Sequence, residues 1–439
     1  MDHVIAARAQ MGASLAFHIV FAALGVGLPL LVFICEGLWL RTRDRAYYDL
    51  ARTWSKGMAI LFAIGAVSGT ILAFELGLLW PGFMRYAGGI IGLPFSLEGF
   101  AFFIEAIFIG LYLYGWDRLS PRAHWLCALP IVISGPVSAG FVTLANAWMQ
   151  MPTGFRIVDG RVTAVQPLVA MFPQPWKVQV THGTIAAYAF TGFVVAAVCA
   201  VAWLRGDRRA VVLAGLRVAM VVAAIAVPTQ IVSGDVSARF DAEHEPVKFA
   251  AMEVVRHATR GAPLTIGGIP SAGDIRYALE IPKMLSFLVA FDFDAVVRGL
   301  DAVAPSDRPP VAPTHLSFDA MVGSGFFMLA VALVWVVATW RKLAMSRFLA
   351  VAITVGGFAA LVALEAGWFV TEFGRQPWIA VGLQRTTDAV TSAPNLEVAF
   401  YGFTLIYIVL GVTCAWLLRR VGHAHEPPSE PAVAGPAAA

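Results

Sequence analysis

Ionisable and sulfur-bearing side chains occur in this chain where apolar sequence should exclude them. Glu372 and Arg375 stand three residues apart in EFGRQPW (372–378), at the end of an apolar run over 348–370. A charge at mid-bilayer costs ~3 kcal/mol on insertion scales, so membrane segments keep such groups chiefly for chemistry. His18, Glu98, Glu105, His182 and Met321 also lie inside or at the ends of apolar runs. Histidine and methionine are axial ligands of haem iron, and one of each suits a low-spin electron carrier. His182, in QVTHGTIAAYAF, and Met321, in SFDAMVGSGFF, are placed to grip one iron from opposite sides. Taken singly, the methionine reads as a gap-filler and the histidine as a satisfied interior group. Their matched depth favours ligation.

The carboxylates suggest proton handling. Glu98 and Glu105 are seven residues apart and share a helix face, with Glu105 roughly 10 Å deeper. Carboxyls in lipid can hold a proton and pass it on, and Ser138 on the next helix can extend the route through its hydroxyl. The competing reading is interhelical glue. Glu372 and Arg375 form either a structural ion pair or a carboxylate beside iron with a guanidinium balancing haem propionates. Pro377 and Trp378 then end the helix and anchor it at the interface. Lys248 and Glu253, in PVKFAAMEVV, offer a cation and a carboxylate among apolar neighbours, which suits holding and deprotonating a quinol head group. A solvated amphipathic helix is the plainer reading of that stretch.

Those residues need helices to position them. The 439 residues are 59% hydrophobic and only 13% charged, outside the range of soluble domains. About nine segments approach the ~20 apolar residues that span a bilayer: 14–40, 54–80, 95–114, 124–148, 182–204, 211–232, 316–340, 348–370 and 398–418. The opening residues lack the basic start and cleavage site of a signal peptide, so the first segment is expected to stay. Arginine and lysine crowd one set of connections: 41–56, Arg118 with Arg122, 205–209, 341–347 and Arg419 with Arg420. The positive-inside rule makes that side cytoplasmic, the N-terminus outer and the C-terminus cytoplasmic. His18, Glu98, His182 and Met321 then fall in the first one or two turns of inbound helices, and Glu372 at the exit of an outbound one. All five share a layer under the outer surface.

The expected division is 1–233 for helices 1–6, 234–314 for an outer loop, 315–420 for helices 7–9, and 421–439 for a Pro/Ala-rich disordered tail. The loop holds helix-like pieces at 245–258 and 278–291 and turn signals at GGIP and PSDRPPVAP. Cys35, Cys127, Cys199 and Cys414 sit in apolar segments with no CxxC spacing, and read as small buried hydrophobes. Two readings of these residues that need no oxygen chemistry are a proton-coupled transporter and a haem-b anchor that passes electrons without touching oxygen.

At this point the chain resembles subunit I of the cytochrome bd-type quinol oxidases, in its short-loop branch or that branch's cyanide-insensitive relatives. The likeness rests on GRQPW (374–378) preceded by EAGWFVTE, on EGFAFFIEAIF (98–108), on LANAWMQMPTGF (144–155), on the His182 helix and on KFAAME (248–253). The resemblance implies an all-α polytopic protein of two four-helix bundles plus a ninth helix, in the bacterial cytoplasmic (inner) membrane. It implies quinol oxidation at the outer face and reduction of dioxygen to water with cytoplasmic protons, generating proton motive force without pumping. His182 and Met321 would ligate low-spin haem b. His18 and Glu98 would serve haem d, or a haem b in its place, and Glu372 high-spin haem b, an assignment that differs among accounts of the family. Trp368 and Arg375 would flank the haems, Lys248 and Glu253 would belong to the quinol loop, and Glu105 and Ser138 would lie on the proton route. The implied partners are a smaller second membrane subunit, a small single-helix accessory subunit, membrane quinol and dioxygen, with no nucleic acid. Two positions depart from the pattern. Asp319 stands where family members often carry arginine, and the two glutamates of the third helix are one residue closer than in the best-known members.

Overall fold

The computed structural model describes residues 2–159, 161–271 and 275–423. Among them, nine helices are long and apolar enough to cross a membrane. They are α1 (His3–Thr42), α2 (Arg45–Leu79), α3 (Pro81–Gly115), α4 (Pro121–Gln150), α5 (Trp176–Leu204), α6 (Ala210–His244), α7 (Val311–Trp340), α8 (Arg347–Arg375) and α9 (Leu396–His423). Helices are the economical solution in lipid, where every backbone N–H and C=O must be bonded within the segment. Their ends carry local stop and start signals. Asp44 accepts from the Ala46 N–H, Ser346 accepts from the Leu349 N–H, and Pro81 and Pro121 sit in first turns, where a missing N–H costs nothing.

The nine form two rings and a flank. Helices α1–α4 pack in a cycle, as do α5–α8, while α9 lies against α1 and α2. Within the second ring, α5 neighbours α6 and α8, and α7 neighbours the same two, so α5 and α7 are diagonal. Lipid is as apolar as leucine, so these helices associate through close packing and hydrogen bonds. Gly356 and Gly357 on α8 let Phe193 and Ala197 of α5 approach where a side chain would collide. Gly27 on α1 admits Thr191 of α5, whose hydroxyl donates to the Ala23 carbonyl at 3.0 Å and joins the rings. At the far end of the first ring, Tyr112 and His124 both bond to the buried Glu36 carboxylate, at 2.6 and 2.7 Å, and pin α3 and α4 to α1. The four cysteines are free and buried or half-buried.

The helices outrun the apolar segments that announce them. α1 begins at His3 and α3 at Pro81, so His18 lies about four turns into its helix and Glu98 nearly five, rather than in the first one or two. Polar residues continue the helices past the hydrocarbon boundary, so the apolar run and not the helix start marks depth. For the same reason α6 runs to His244 and α7 starts at Val311, leaving 245–310 as the long connection expected on the outer side. There the first helix-like piece shortens to Pro246–Met252 and the second to Met284–Ala290, with Leu279–Ile281 taken into a strand paired with Leu264–Ile266. Two-stranded pairs of this kind occur only in connections. α9 runs on to His423, and the remainder of the expected tail, 424–439, lies outside the described residues.

Candidate functional site

The candidate ligands are set up by their neighbours. Ser68 on α2 donates its hydroxyl hydrogen to the Ile64 carbonyl at 3.0 Å, so its oxygen accepts from Nδ1–H of His18 at 2.9 Å. That fixes the tautomer and leaves the Nε2 lone pair of His18 for a metal. Gly69, next along α2, keeps the ring's flank clear, since a Cβ there would lie 2.9 Å from Cε1 of His18. His182 is held from α6, with Ser233 Oγ 3.3 Å from Nδ1 and the Gln230 amide nitrogen 2.9 Å from Nε2. Ligation through Nε2 requires Gln230 to give up that contact. A Cβ at Gly234 would sit 3.5 Å from Cε1 of the same ring. On the diagonal helix, Met321 lies against α8, its sulfur 3.2 Å from where a Cβ of Gly367 would be. Each of these three candidate ligands thus packs against a glycine on an adjacent helix, which lets the helices approach closely at that point.

The carboxylates take separate stations. Ser138 donates to Glu98 at 3.0 Å and ties α3 to α4, so the hydroxyl serves Glu98 directly. Glu105 is buried against Gly135, its Oε1 3.8 Å from that residue's would-be Cβ. Glu372 and Arg375 form the ion pair that their spacing suggests. Arg375 is almost wholly buried and also donates to Asn146 Oδ1 at 3.2 Å, while its Nε has no protein partner. Trp368 packs one turn before Glu372 at the edge of the second ring's core. Among the described residues no three His, Cys, Asp or Glu side chains cluster as a bare-metal site. Histidine and methionine donors and a buried arginine with a spare N–H fit iron carried in a porphyrin with acidic side arms.

The long connection is fastened to the ends of α6 and α8. Lys248 is buried and ion-paired to Asp241 at 3.0 Å and Glu245 at 3.2 Å. A Cβ on Gly374 would lie 2.7 Å from Cγ of Lys248, so the glycine of GRQPW exists to let the lysine stem pass over the end of α8. Glu253, also buried, ends the short helix that carries Lys248.

Several groups escaped the sequence reading. Asn146 and Gln150 of LANAWMQMPTGF reach across to α8, where Gln150 donates to the Thr371 carbonyl at 3.1 Å, and Asn146 also donates to Gln179 of α5 at 3.0 Å. Their four-residue spacing on one helix face was the available signal. Arg8, on the first turns of α1, lies within electrostatic reach of Glu372. Glu365 is a further intramembrane carboxylate, seven residues before Glu372 on the same face, with one oxygen unpartnered.

Comparison with known proteins identifies the family. Residues 6–426 match the family of cytochrome bd terminal oxidase subunit I. A Bacillus subtilis (strain 168) protein assigned as cytochrome bd menaquinol oxidase subunit I is 36% identical over 95% of this chain and 96% of its own length. The cytochrome bd-II ubiquinol oxidase subunit 1 of Escherichia coli (strain K12) is 29% identical over 96% and 95%. The solved bd oxidase of Geobacillus thermodenitrificans superposes with a TM-score of 0.92 at 37% identity, covering 97% of this chain and 99% of that one. The chain is a member of the cytochrome bd subunit I family, and so a multi-pass membrane subunit of a haem-dependent quinol oxidase that works with a second subunit. The transporter and anchor readings give way to it.

One consequence concerns Gly374. A methyl group there overpacks the lysine stem, a cost of about 1–3 kcal/mol. Gly374→Ala should therefore lower the melting temperature and raise the quinol KM while leaving the haem spectrum unchanged. An unaltered KM would show that Lys248 does not depend on this seat.

Proposed function

We propose that the chain oxidises membrane quinol at the outer face through the 245–310 connection and serves dioxygen reduction at buried haems, drawing the protons for water from the cytoplasm. The observation that carries this is the seating of Lys248 on Gly374, which puts a buried cation and carboxylate against the helix that bears Glu372 and Arg375. The arginine-rich connections support the orientation. His182 and Met321 would hold low-spin haem b. His18, Glu98 and Glu372 would serve high-spin haem b and haem d, or a second b-type haem in its place. When bound, these groups carry single electrons and activate dioxygen.

The chain's own residues do the rest. Lys248 orients the head group by its charge. Glu253 accepts a quinol proton, which leaves to the outside. Trp368 would flank the haems, and Arg375 with Asn146 steadies negative charge beside Glu372. Glu105 holds a proton on the inward side and Glu98, bonded to Ser138, receives it nearer the reaction layer. Protons released outside and consumed from inside separate charge without a pump. A smaller second membrane subunit, with a single-helix accessory subunit, would complete the particle.

Purification followed by pigment extraction and a quinol-dependent oxygen-uptake assay tests the reading. A chlorin-type haem beside b-type haem is expected, together with quinol-driven oxygen consumption. Pigment without oxygen consumption would overturn it. Glu105→Gln should slow oxygen reduction on the order of 10²-fold with the haems still bound, the scale of a lost proton carrier. Normal turnover of that variant would remove Glu105 from the route.

A further inference from the structure

One buried histidine has no part in the scheme above. His315, in the second turn of α7, is wholly buried, and both of its ring nitrogens face oxygen. Nδ1 lies 2.6 Å from the Met252 carbonyl, and Nε2 lies 3.1 Å from the Gly267 carbonyl and 3.2 Å from the Asp319 carboxylate. The ring is thus gripped through both nitrogens, by carbonyls of two separate segments. Asp319, the departure from the family pattern, lies beside it, one turn later on the same helix.

The acceptors matter as much as the donor. The Met252 carbonyl ends the short helix Pro246–Met252, where last-turn carbonyls lack intrahelical donors, and it belongs to the peptide bond that carries Glu253. Beyond it the backbone turns sharply. Glu253 N–H donates to the Phe249 carbonyl at 3.0 Å, Val255 N–H to the Ala250 carbonyl at 2.9 Å, and Val254 takes a φ of 56°. That is a Schellman-type helix end, whose left-handed position normally falls to glycine. A β-branched residue there is strained and persists only when its surroundings hold it. The Gly267 carbonyl comes from a second turn of the same connection, with φ of 68° and 101° at Gly267 and Gly268. His315 therefore staples two turns of the outer connection to the helix that carries Met321.

We propose that His315 is a positioning residue for quinol oxidation, its doubly held ring locking the strained turn at 253–254 and so fixing where the Glu253 carboxyl meets the quinol hydroxyl. This rests on Glu253 being the quinol's proton acceptor.

The test uses the purified holoenzyme with a short-chain quinol, a one-electron donor that bypasses the outer connection, and deuterium uptake over 249–256. In His315→Leu, kcat/KM for quinol should fall on the order of 10²-fold, as misplacement by about 1 Å does, while turnover with the one-electron donor stays within about twofold. Uptake over 249–256 should rise. His315→Gln, which keeps a donor, should fall between. Adding Val254→Gly to His315→Leu should restore most of the lost kcat/KM, because glycine adopts the turn without the staple. Wild-type kcat/KM in His315→Leu, or no recovery on adding Val254→Gly, overturns the proposal. Equal loss with both donors in the leucine and glutamine variants also overturns it, since the residue then supports folding alone. Glu253→Gln separates the two levels. If that variant still oxidises quinol normally, the acceptor reading itself fails. If it is impaired while His315→Leu is not, only the positioning role fails.

Discussion

Replacing Met321 by leucine is expected to leave the low-spin haem five-coordinate, with its sharp low-spin absorbance lost and its reduction potential lowered. The two side chains are close in volume, so the packing cost is under about 1.5 kcal/mol and the protein should still assemble. The sulfur's seat against Gly367 is nearly unchanged by the swap, whereas its lone pair has no replacement. Thioether ligation raises the potential of a haem relative to an imidazole or an open position, so electrons would enter the chain less readily. Quinol turnover should fall at least by the ~10–100-fold that outer-shell partners of a metal already cost. A spectrum that stays low-spin with unchanged potential would remove Met321 from the ligand set. Gln230 offers an internal comparison. Its amide shares Nε2 of His182, so Gln230→Ala should leave the low-spin spectrum intact if iron takes that nitrogen.

What the sequence made legible follows from the cost of charge in lipid. Nine helices and the unusual residues on them stand out because hydropathy and expense are both local properties, visible in a window of ~20 residues. The ring arrangement was legible through the family likeness, while the packing that sustains it is not written locally: Gly356 and Gly357 read as ordinary glycines until Phe193 and Ala197 are brought against them. Helix ends were misjudged at His3, Pro81 and His244 because a polar helix end beyond the hydrocarbon carries no hydropathic signal. Ser138 was placed near the relay, yet only the crossing of α3 and α4 shows that it serves Glu98. Asn146, Gln150 and His315 were passed over because each gains meaning from a partner far along the chain, the Arg375 guanidinium, the Thr371 carbonyl and the Met252 carbonyl respectively, that no spacing rule can name. Gly374 illustrates the same limit. Its motif was recognised, but the reason for glycine is a lysine stem from another segment.

Glu253→Gln should reduce quinol turnover on the order of 10²–10⁴-fold, the usual contribution of a positioned proton acceptor, and leave turnover with an artificial one-electron donor near wild type. Burial, with Asp319 nearby adding repulsion, pushes the Glu253 carboxyl up to about 8. An acceptor must be unprotonated, and below that value the unprotonated fraction falls about tenfold for each pH unit. The wild-type kcat/KM for quinol should therefore climb with pH and level off above about 8. In the glutamine variant that limb should vanish, and its persistence would assign the proton to a different base. Lys248 gives the complementary measurement. Burial works against its charge, but Asp241 and Glu245 outweigh that and hold the ammonium above the usual lysine range. Lys248→Ala leaves those two carboxylates facing each other without a counter-ion, a loss of about 3–5 kcal/mol for a broken buried pair. Part of its effect on quinol turnover will thus be structural. The donor comparison separates the parts: loss confined to quinol marks a binding role for the cation, whereas equal loss with both donors means that the outer connection has come away from α8.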